Sequence, residues 1–285
     1  MKNYLSITTP RKIVIVLASL VVLAGCATFE KQSKPLGGTD RLPGYLASSV
    51  LPDSLALLPP PPAPGSTALT LDHDISRNSL TLQDSLRWKL ASDDADLRFP
   101  KVAGTFSCAL NAPVTEHDTP HLYDLLRRIR TDASNATNRA KNKYARTRPF
   151  VENKQRTCKP DDEQGLRNNG SYPSGHTTIG WAWALTLAEI SPDQADAILA
   201  RGRAFGQNRV ICNVHWQSDV IEGFFMGAAT VARLHADPAY RADIETAKAE
   251  LAAVRAKGMK PVRDCQAEAE ALTQYPLLAP WPADK

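Results

Sequence analysis

The sequence Gly170-Ser-Tyr-Pro-Ser-Gly-His-Thr-Thr-Ile-Gly-Trp-Ala-Trp-Ala-Leu-Thr-Leu-Ala-Glu-Ile190 decides the fold of this protein. Its opening residues are polar and include two glycines and a proline, a composition typical of a loop. The apolar and small residues that follow recur at helical spacing, at Trp181, Ala184, Leu185 and Ala188. We therefore predict a loop that turns into an apolar helix, which runs from His176 to Ile190.

Most of the chain beyond Thr67 shows the same helical pattern, and no sustained alternation of apolar and polar residues indicates a strand. Further helices are predicted at residues 76–91, 120–143, 192–206, 218–235 and 238–257. Ser191-Pro192 and Asp237-Pro238 each place a capping side chain before a proline at the first helical position. We predict one all-α domain, a helical bundle over residues 50–260, followed by a C-terminal extension over 261–285.

The composition is that of an ordinary globular protein, with 43% hydrophobic and 22% charged residues among 285. It excludes collagen-like chains, wholly disordered chains and disulfide-dense miniproteins. Three of the 34 Lys and Arg residues, but no acidic residue, lie in the first 25 positions, so the rest of the chain carries 31 basic and 30 acidic side chains. A nucleic-acid partner bound by a globally basic surface is therefore not expected.

The first 25 residues have the pattern of a signal peptide. Three basic residues precede an apolar run at 13–23, which is shorter than the roughly 20 apolar residues of a membrane-spanning helix. Leu23-Ala-Gly-Cys26 follows and resembles the lipobox of bacterial lipoproteins, which implies that Cys26 becomes a lipidated N-terminus. Ala27 after it implies sorting to the outer membrane. An ordinary secretory signal cut elsewhere is the alternative, and both predict export to the periplasm.

Two unlike stretches follow the lipobox-like sequence. Residues 26–49 are polar and without a period, which predicts a flexible tether. Four consecutive prolines, Pro59–Pro62, then fix a polyproline II segment without amide donors. A ligand for an SH3-type domain makes little sense in an exported bacterial protein, so we interpret this segment as a rigid strap along the domain.

Three groups of residues combine side chains for which a hydrophobic core has no use. They are Lys141 followed after six residues by Arg148-Pro149, the octapeptide Gly170–Thr177, and Arg209, His215 and Asp219 with five and three residues between them. In order and spacing they resemble the signature of the type 2 phosphatidic acid phosphatase superfamily, and the octapeptide resembles that of its class A bacterial non-specific acid phosphatases. The resemblance covers most of residues 54–257. It implies an all-α acid phosphatase that hydrolyses phosphate monoesters through a phosphohistidine, without metal or cofactor.

The spacing of the third group predicts a nucleophile. Asp219 follows His215 by four positions, so a helical turn would place the carboxylate beside one imidazole nitrogen and leave the other neutral and oriented for attack. His176 belongs to a separate element and can donate a proton to the leaving oxygen as general acid. The resemblance implies the same roles for these three residues. The exchanged assignment is disfavoured because no carboxylate lies within a turn of His176.

Five further residues are predicted to bind the phosphoryl group, whose oxygens carry negative charge. Lys141, Arg148 and Arg209 supply positive charge, and a planar guanidinium can bind two oxygens at once. Ser174 and Gly175 lie where the loop turns into the helix, so that a hydroxyl and an amide can donate to phosphate at a helix N-terminus. A glycine there lets the backbone approach the ligand.

Two positions depart from the family pattern, in which a serine usually stands at Asn208 and a glycine at Asn213. Asn208 keeps a short hydrogen-bonding side chain, and Asn213 can adopt the left-handed conformation that a glycine supplies. The remaining histidines are interpreted as structural or surface groups and the tryptophan pair as core: His73, His117, His121, His235, Trp181 and Trp183.

Besides Cys26 the chain has four cysteines, an even number that predicts two disulfides in an exported protein. A zinc site is the alternative, but no pair has the close spacing of a zinc-binding motif. Four cysteines allow three connectivities. Cys158 lies between the first two motifs and Cys212 within the third, so we predict that these two pair, which leaves Cys108 to pair with Cys265.

Three alternative functions stay open at the level of the sequence. A vanadium haloperoxidase uses the same motif types but generally has a much longer chain, and a lipid phosphatase of the superfamily carries several membrane spans. A lipoprotein that only binds phosphate would not need the acid and the nucleophile. We expect small phosphate monoesters as substrates, membrane contact only through the lipid on Cys26, and, from the resemblance, a homo-oligomer.

Overall fold

The structure, a computed structural model, describes residues 42–274. The predicted signal peptide, Cys26, the tether up to residue 41 and residues 275–285 lie outside the described residues. Within the described range there are thirteen α-helices and no strand, which confirms the predicted all-α fold. None of these helices is long and apolar enough to cross a membrane.

Five long helices, α5 and α9 to α12, form the bundle, and shorter helices and 3₁₀ turns connect and cover them. In chain order the helices are α1 (Ser54–Leu57), α2 (Thr67–Ser79), α3 (Leu86–Asp93), α4 (Ser107–Leu110), α5 (Pro120–Ala136), α6 (Asn138–Tyr144), α7 (Pro149–Asn153), α8 (Glu163–Arg167), α9 (Gly175–Ile190), α10 (Ala195–Ile211), α11 (Gln217–Leu234), α12 (Pro238–Ala256) and α13 (Cys265–Thr273).

Helix α9 lies at the centre of the bundle, where α10, α11 and α5 all pack against it. Trp183 on α9 is 1% exposed, and its indole N–H donates to the Leu126 carbonyl of α5 at 2.8 Å. Gly202 allows α10 to approach α9 closely, since a β-carbon built at this position would lie only 2.3 Å from Ala184 Cβ. The apolar helix predicted at 176–190 is thus the core of the fold.

The prediction of a single helix over 76–91 is wrong, because the structure has parts of two helices, α2 and α3, in its place. The chain turns at Asp84, whose φ of 65° is left-handed and cannot continue a right-handed helix. Ser85 then caps α3 by accepting from the Trp88 backbone N–H at 3.2 Å. Apolar spacing extends across both helices but does not reveal the sign of φ between them.

Two other helices differ from their predicted bounds. The helix predicted over 120–143 is α5 and α6, which meet at Thr137. The helix predicted over 192–206 begins as a 3₁₀ turn and continues to Ile211, because Gly206 serves packing and does not end the helix. A β-carbon built there would lie 2.6 Å from the Phe224 ring of α11. The extension makes Asn208 and Arg209 helical residues.

Residues 42–49 belong to the folded domain and not to the predicted tether. The backbone N–H groups of Tyr45 and Leu46 donate to the Asp132 carboxylate at 2.7 and 3.2 Å. The Tyr45 hydroxyl donates to Asp243 at 2.7 Å. A buried carboxylate acceptor on α5 therefore fixes a segment whose composition alone indicates a flexible chain.

The polyproline segment packs against the loop that precedes α9, as a strap would. The Tyr172 hydroxyl donates to the Pro59 carbonyl at 2.7 Å. Leu58, just before the prolines, is 5% exposed and belongs to the same hydrophobic cluster as Tyr172 and Met226. The strap thus contacts the octapeptide through the Pro59 carbonyl, which accepts from the Tyr172 side chain.

The predicted C-terminal extension contains helix α13, which packs against α3. Cys265 at its start is bonded to Cys108 on α4. Glu268 on α13 forms an ion pair with Arg201 of α10 at 3.3 Å, and Arg201 pairs with Asp94 at 2.7 Å. Helix α13 therefore completes a buried cluster of charges between α3 and α10.

Candidate active site

Three segments of the chain bring the predicted motifs together: α6 with the connection to α7, the loop before α9, and the connection from α10 to α11. Backbone hydrogen bonds join these segments. The Ser171 N–H donates to the Arg146 carbonyl and the Ser174 N–H to the Asp219 carbonyl, both at 2.9 Å. The structure thus gathers the eight predicted catalytic and phosphate-binding residues in one region.

His215 is a buried, neutral imidazole. Burial is the main cause that lowers its pKa well below 6.5, and the cations Arg148 and Lys141 add to the effect. Its Nδ1 lies 3.4 Å from Asp219 Oδ2 and carries the proton, because Nε2 faces a guanidinium, which can only donate. Nε2 is then the acceptor nitrogen, and the Arg148 guanidinium donates to it at 3.1 Å. The imidazole presents an unprotonated nitrogen beside a fixed cation.

The helical turn predicted to join His215 and Asp219 is wrong, because His215 precedes the helix. Trp216 is the N-cap of α11, and Asp219 in the first turn accepts from the Trp216 backbone N–H at 2.8 Å. The carboxylate reaches the imidazole because it caps the helix. The four-residue spacing therefore identifies the right pair through a different local geometry.

His176 is the second residue of α9 and contacts the end of α3. Its Nε2 lies 3.0 Å from the Ala95 carbonyl, which can only accept, so Nε2 carries a proton and Nδ1 is the remaining nitrogen. Burial, followed by the charge of Arg209, lowers the pKa of His176 to about 3. The unliganded imidazole is therefore neutral, and a proton on Nδ1 requires added negative charge nearby.

Lys141 on α6 is buried beside the octapeptide. Its Nζ donates to the Gly170 carbonyl at 2.8 Å. Burial and the Arg148 charge lower the pKa of Lys141 to about 7, although Asp219 opposes the shift. Because this pKa lies near neutral pH, an anion beside Lys141 shifts the amine strongly towards its charged form.

Backbone carbonyls hold the two predicted arginines. Arg148 donates at 2.9 to 3.0 Å to the carbonyls of Leu166, Asn169 and Val214. Arg209 donates to the Ala91 carbonyl, and its Nε is buried without a hydrogen-bond partner. Burial lowers the pKa of each guanidinium to about 10, so both stay charged at neutral pH. These carbonyls fix the guanidinium groups without cancelling their charge, which is available to an anion.

Ser174 caps α9, and Gly175 is its first residue. Ser174 Oγ accepts from the Thr177 N–H at 3.3 Å and from the Thr177 hydroxyl at 2.9 Å, so its own proton can point to a ligand. A β-carbon built on Gly175 would lie 3.6 Å from Lys141 Cε, an ordinary contact. The protein itself does not require a glycine here, which leaves the approach of a ligand as its reason.

Three polar residues that hold Asp219 or its partners were not predicted from the sequence. Arg146 donates to Asp219 Oδ1 at 2.7 Å and to Asp72 Oδ2 at 2.8 Å. The Ser171 hydroxyl donates to Asp219 Oδ2. Ser171 lies within the octapeptide and Arg146 lies between two motif residues. Both could have been predicted from these positions. Nothing local marks Asp72, which comes from α2.

The two departures from the family pattern both carry hydrogen bonds. Asn208 Nδ2 donates to Asp94 Oδ2, and Arg87 Nε donates to Asn208 Oδ1, both at 2.7 Å. Asn213 has a φ of 63°, in the left-handed region that a glycine supplies. Asn153 Nδ2 donates to Asn213 Oδ1 at 2.8 Å. The asparagines therefore add contacts where the family pattern has smaller side chains.

The structure contains both predicted disulfides, Cys158–Cys212 and Cys108–Cys265. Cys212 is the C-cap of α10 and precedes His215 by three residues. The Cys158 N–H also donates to the Cys212 carbonyl at 3.2 Å. The first disulfide thus fastens the segment after α7 to the connection that carries the candidate nucleophile.

The other four histidines lie at the surface, and three of them pair with acids. His73 contacts Glu152 at 3.6 Å, His117 contacts Asp118 at 2.8 Å, His235 contacts Glu189 at 3.2 Å, and His121 is exposed. Within residues 42–274 no three His, Cys, Asp or Glu side chains are grouped so that they could hold a metal ion.

The site combines fixed cations, a helix N-terminus, a neutral imidazole for attack and a second imidazole for proton transfer, which suits phosphoryl transfer. The PAP2 superfamily matches this chain over residues 131–243, and the chain belongs to this superfamily.

The particular relatives are acid phosphatases. The chain is 45% identical over 212 residues to a non-specific acid phosphatase of Providencia stuartii, over 74% of this chain and 86% of the relative. It is 42% identical over 209 residues to an acid phosphatase of Zymomonas mobilis subsp. mobilis, over 73% and 79%. It is 43% identical over 195 residues to a non-specific acid phosphatase of Salmonella typhimurium, over 68% and 78%. These matches confirm the predictions of the family and of a phosphatase enzyme.

Proposed function

We propose that this phosphatase hydrolyses small phosphate monoesters by transferring the phosphoryl group to His215, with no metal or cofactor. The observation that carries the proposal is the environment of this imidazole. Asp219 fixes Nδ1, and Nε2 faces Arg148 in a region of positive charge. A neutral, oriented nitrogen beside cations is what an attack on a charged phosphoryl group requires.

In the first half-reaction, Nε2 of His215 attacks phosphorus while the ester oxygen leaves. The N–P bond forms as the P–O bond breaks, and the leaving oxygen takes a proton from His176. Lys141, Arg148 and Arg209 balance the negative charge of the equatorial oxygens. The Arg209 Nε, buried and unpaired in the unliganded site, gains an acceptor in this step.

The substrate itself supplies the charge that protonates His176. The pKa of this imidazole is about 3 in the unliganded site, where burial and cations disfavour a further positive charge. A bound phosphate ester places negative charge among those cations and thereby raises the pKa of His176. In the second half-reaction neutral His176 accepts a proton from water, the water oxygen attacks phosphorus, and the N–P bond breaks to release phosphate.

We propose further that the protein is exported, anchored to the outer membrane by a lipid on Cys26, and assembled as a homo-oligomer. The signal pattern at 1–25 and the lipobox-like sequence support the first two statements, and two disulfides suit an oxidising compartment.

Incorporation of labelled fatty acid into wild-type protein but not into Cys26→Ser is expected, and label in both proteins would contradict the lipid anchor. Light scattering of the protein without its lipid tests the oligomer, and a monomer mass would contradict it.

The test of the activity is hydrolysis of p-nitrophenyl phosphate with and without chelator. We expect turnover that survives EDTA and is blocked by vanadate, because Lys141, Arg148 and Arg209 provide the charge neutralisation that a metal would otherwise supply. Acid-labile phosphate should be trapped on His215 by rapid quenching. Complete loss of activity on chelation, restored by Mg²⁺ or Zn²⁺, would overturn the mechanism.

The two histidines are expected to differ in their response to substitution. His215→Ala should abolish turnover of every ester, because no phosphohistidine can form. His176→Ala should lose about 10²- to 10⁴-fold in the phosphorylation step with alkyl phosphates but much less with p-nitrophenyl phosphate, whose leaving oxygen needs little proton donation. Single-turnover rates are the measurement. Equal losses on both esters would remove His176 from the acid role.

A further inference from the structure

Arg146 holds the side of Asp219 that faces away from the imidazole. Its Nη1 donates to Asp219 Oδ1 at 2.7 Å, whereas His215 Nδ1 lies by the other oxygen, Oδ2. The Arg146 side chain is 10% exposed and that of Asp219 is fully buried. The carboxylate thus lies between a guanidinium and the imidazole of the candidate nucleophile, with one oxygen for each.

Arg146 is itself fixed by residues outside the motifs. Its Nη2 donates to Asp72 Oδ2 at 2.8 Å, and its Nη1 also donates to Ser218 Oγ at 2.7 Å. The Ser218 hydroxyl and backbone N–H donate to Asp72 at 2.5 and 2.8 Å. The result is a closed ring of hydrogen bonds among α2, the connection from α6 to α7, and α11, with Asp219 attached to it.

We infer that Arg146 is a positioning residue, which sets the direction of His215 Nε2 through Asp219, and that Asp72 holds Arg146 in place for this task. The terminal torsion of an aspartate is broad, and the donors from Trp216 and Ser171 both lie on Oδ2. The Arg146 donor on Oδ1 fixes the other end of the carboxylate plane. The inference rests on the proposed attack by His215, since only a nucleophile needs its ring direction fixed relative to phosphorus.

The geometry also explains why a guanidinium stands at this position. Three acceptors, on Asp219, Asp72 and Ser218, surround Arg146, and a planar group with several N–H donors can satisfy all of them in a fixed arrangement. A lysine ammonium in the same place would keep the charge but lose this fixed arrangement of donors. Arg146→Lys and Arg146→Gln therefore separate the contribution of charge from that of geometry.

The experiment measures phosphoenzyme formation from p-nitrophenyl phosphate by rapid quench, with steady-state kcat and KM. We expect Arg146→Gln to lower the rate of phosphorylation by about 10- to 100-fold, the range typical of removing the group that orients a metal-bound histidine. KM should change little, because the donors of Arg146 are bound by Asp219, Asp72 and Ser218. The phosphorylation rate of Arg146→Lys should lie between those of the wild type and Arg146→Gln. Asp72→Asn should lower the same rate by less than Arg146→Gln does.

Arg128→Gln is the matched control, since Arg128 also forms an ion pair, with Asp243 at 3.2 Å, on α5 and α12 outside the site. All rates are taken below the unfolding temperature of each variant. Should Arg146→Gln fail to fold, Asp72→Asn carries the test, because it removes a charge with little change of shape. Phosphorylation rates like that of the control in the variants that fold would overturn the inference.

A double-mutant cycle separates positioning from a general structural effect. If Arg146 acts through Asp219, Arg146→Gln should cost little more once Asp219→Asn is present. Additive losses would overturn the inference. Hydrolysis by the wild type without any phosphohistidine would overturn the proposed mechanism and this inference with it, whereas a wild-type phosphohistidine together with an unaffected Arg146→Gln would overturn this inference alone.

Discussion

At the scale of the residue, the site lowers the pKa of two of its bases. Burial and neighbouring cations lower the pKa of Lys141 to about 7 and that of His176 to about 3. In both cases the cause is charge of one sign collected in a space from which water is largely removed. The site is therefore short of negative charge, and binding of an oxyanion is coupled to the uptake of protons.

Sulfate binding should reveal this coupling at Lys141. An anion beside Lys141 raises its pKa above about 7, so binding takes up a proton in the window above that value, and the affinity falls as the pH rises through it. Sulfate stays a dianion there, so its own titration does not contribute. The inhibition constant against p-nitrophenyl phosphate should thus increase from about pH 7 upwards.

The control for this prediction is Lys141→Gln, which keeps a polar side chain but cannot titrate. Its sulfate affinity should be weaker and should no longer fall above about pH 7. An unchanged pH dependence in this variant would assign the proton uptake to another group.

Asn213 should matter for stability through its backbone as well as its side chain. Asn213→Ala places an ordinary β-carbon at a φ of 63° and removes the pairing with Asn153, so the free energy of unfolding should fall by about 1 to 3 kcal/mol. Asn213→Gly loses the same side-chain hydrogen bonds, including that to the Gln155 carbonyl, but adopts this φ without strain and should cost less. Urea unfolding of the two variants is the measurement, and equal losses would contradict a contribution from the backbone conformation.

At the scale of the element, one of the two predicted caps forms and the other is wrong, because the Ser191 hydroxyl donates to Asp193 and makes no capping hydrogen bond. Asp237-Pro238 marks the start of α12, where Asp237 accepts from the Tyr240 N–H at 2.9 Å. The continuation through Gly206 could not be predicted, because it depends on packing between helices. The Phe224 ring of α11, distant in sequence, lies against that glycine.

The close approach of α9 and α10 predicts a cost for one added methyl group. Ala should favour the helix over Gly by about 1 kcal/mol, yet Gly202→Ala would place a β-carbon 2.3 Å from Ala184 Cβ. Overpacking should outweigh propensity and lower the free energy of unfolding by about 1 to 2 kcal/mol. Gly165→Ala in α8 is the control, since nothing lies within 4 Å of the added carbon. Equal or greater stability of Gly202→Ala in urea unfolding would contradict this packing.

At the scale of the whole molecule, the motifs made the eight site residues predictable but not the residues behind them. His215, Arg209 and Asp219 are close in sequence, so their spacing carries information. Asp72 and Ser218 are 146 positions apart and meet only because α2 packs against α11. No local pattern records such a pairing, and the ring around Arg146 could therefore not be predicted from the sequence.

The Cys108–Cys265 disulfide should contribute more to stability, and the Cys158–Cys212 disulfide more to activity. The Cys108–Cys265 bond spans 157 positions and the Cys158–Cys212 bond 54, so chain entropy assigns them about 5 and about 4 kcal/mol. Paired Ser substitutions at 108 and 265 should therefore lower stability more. Those at 158 and 212 should lower kcat more, because Cys212 lies three residues before His215. Urea unfolding and kcat at low temperature test both orders, and a reversal of either would contradict this division.

The disulfide between α4 and α13 can form only after both of its cysteines have been synthesised. Cys265 leaves the ribosome 157 residues after Cys108, an interval of roughly 8 to 30 seconds at ordinary rates of synthesis. Throughout that interval Cys108 has no native partner, and Arg201 lacks Glu268. A thiol reagent that labels Cys108 therefore counts the molecules in which the bond between α4 and α13 has not yet formed.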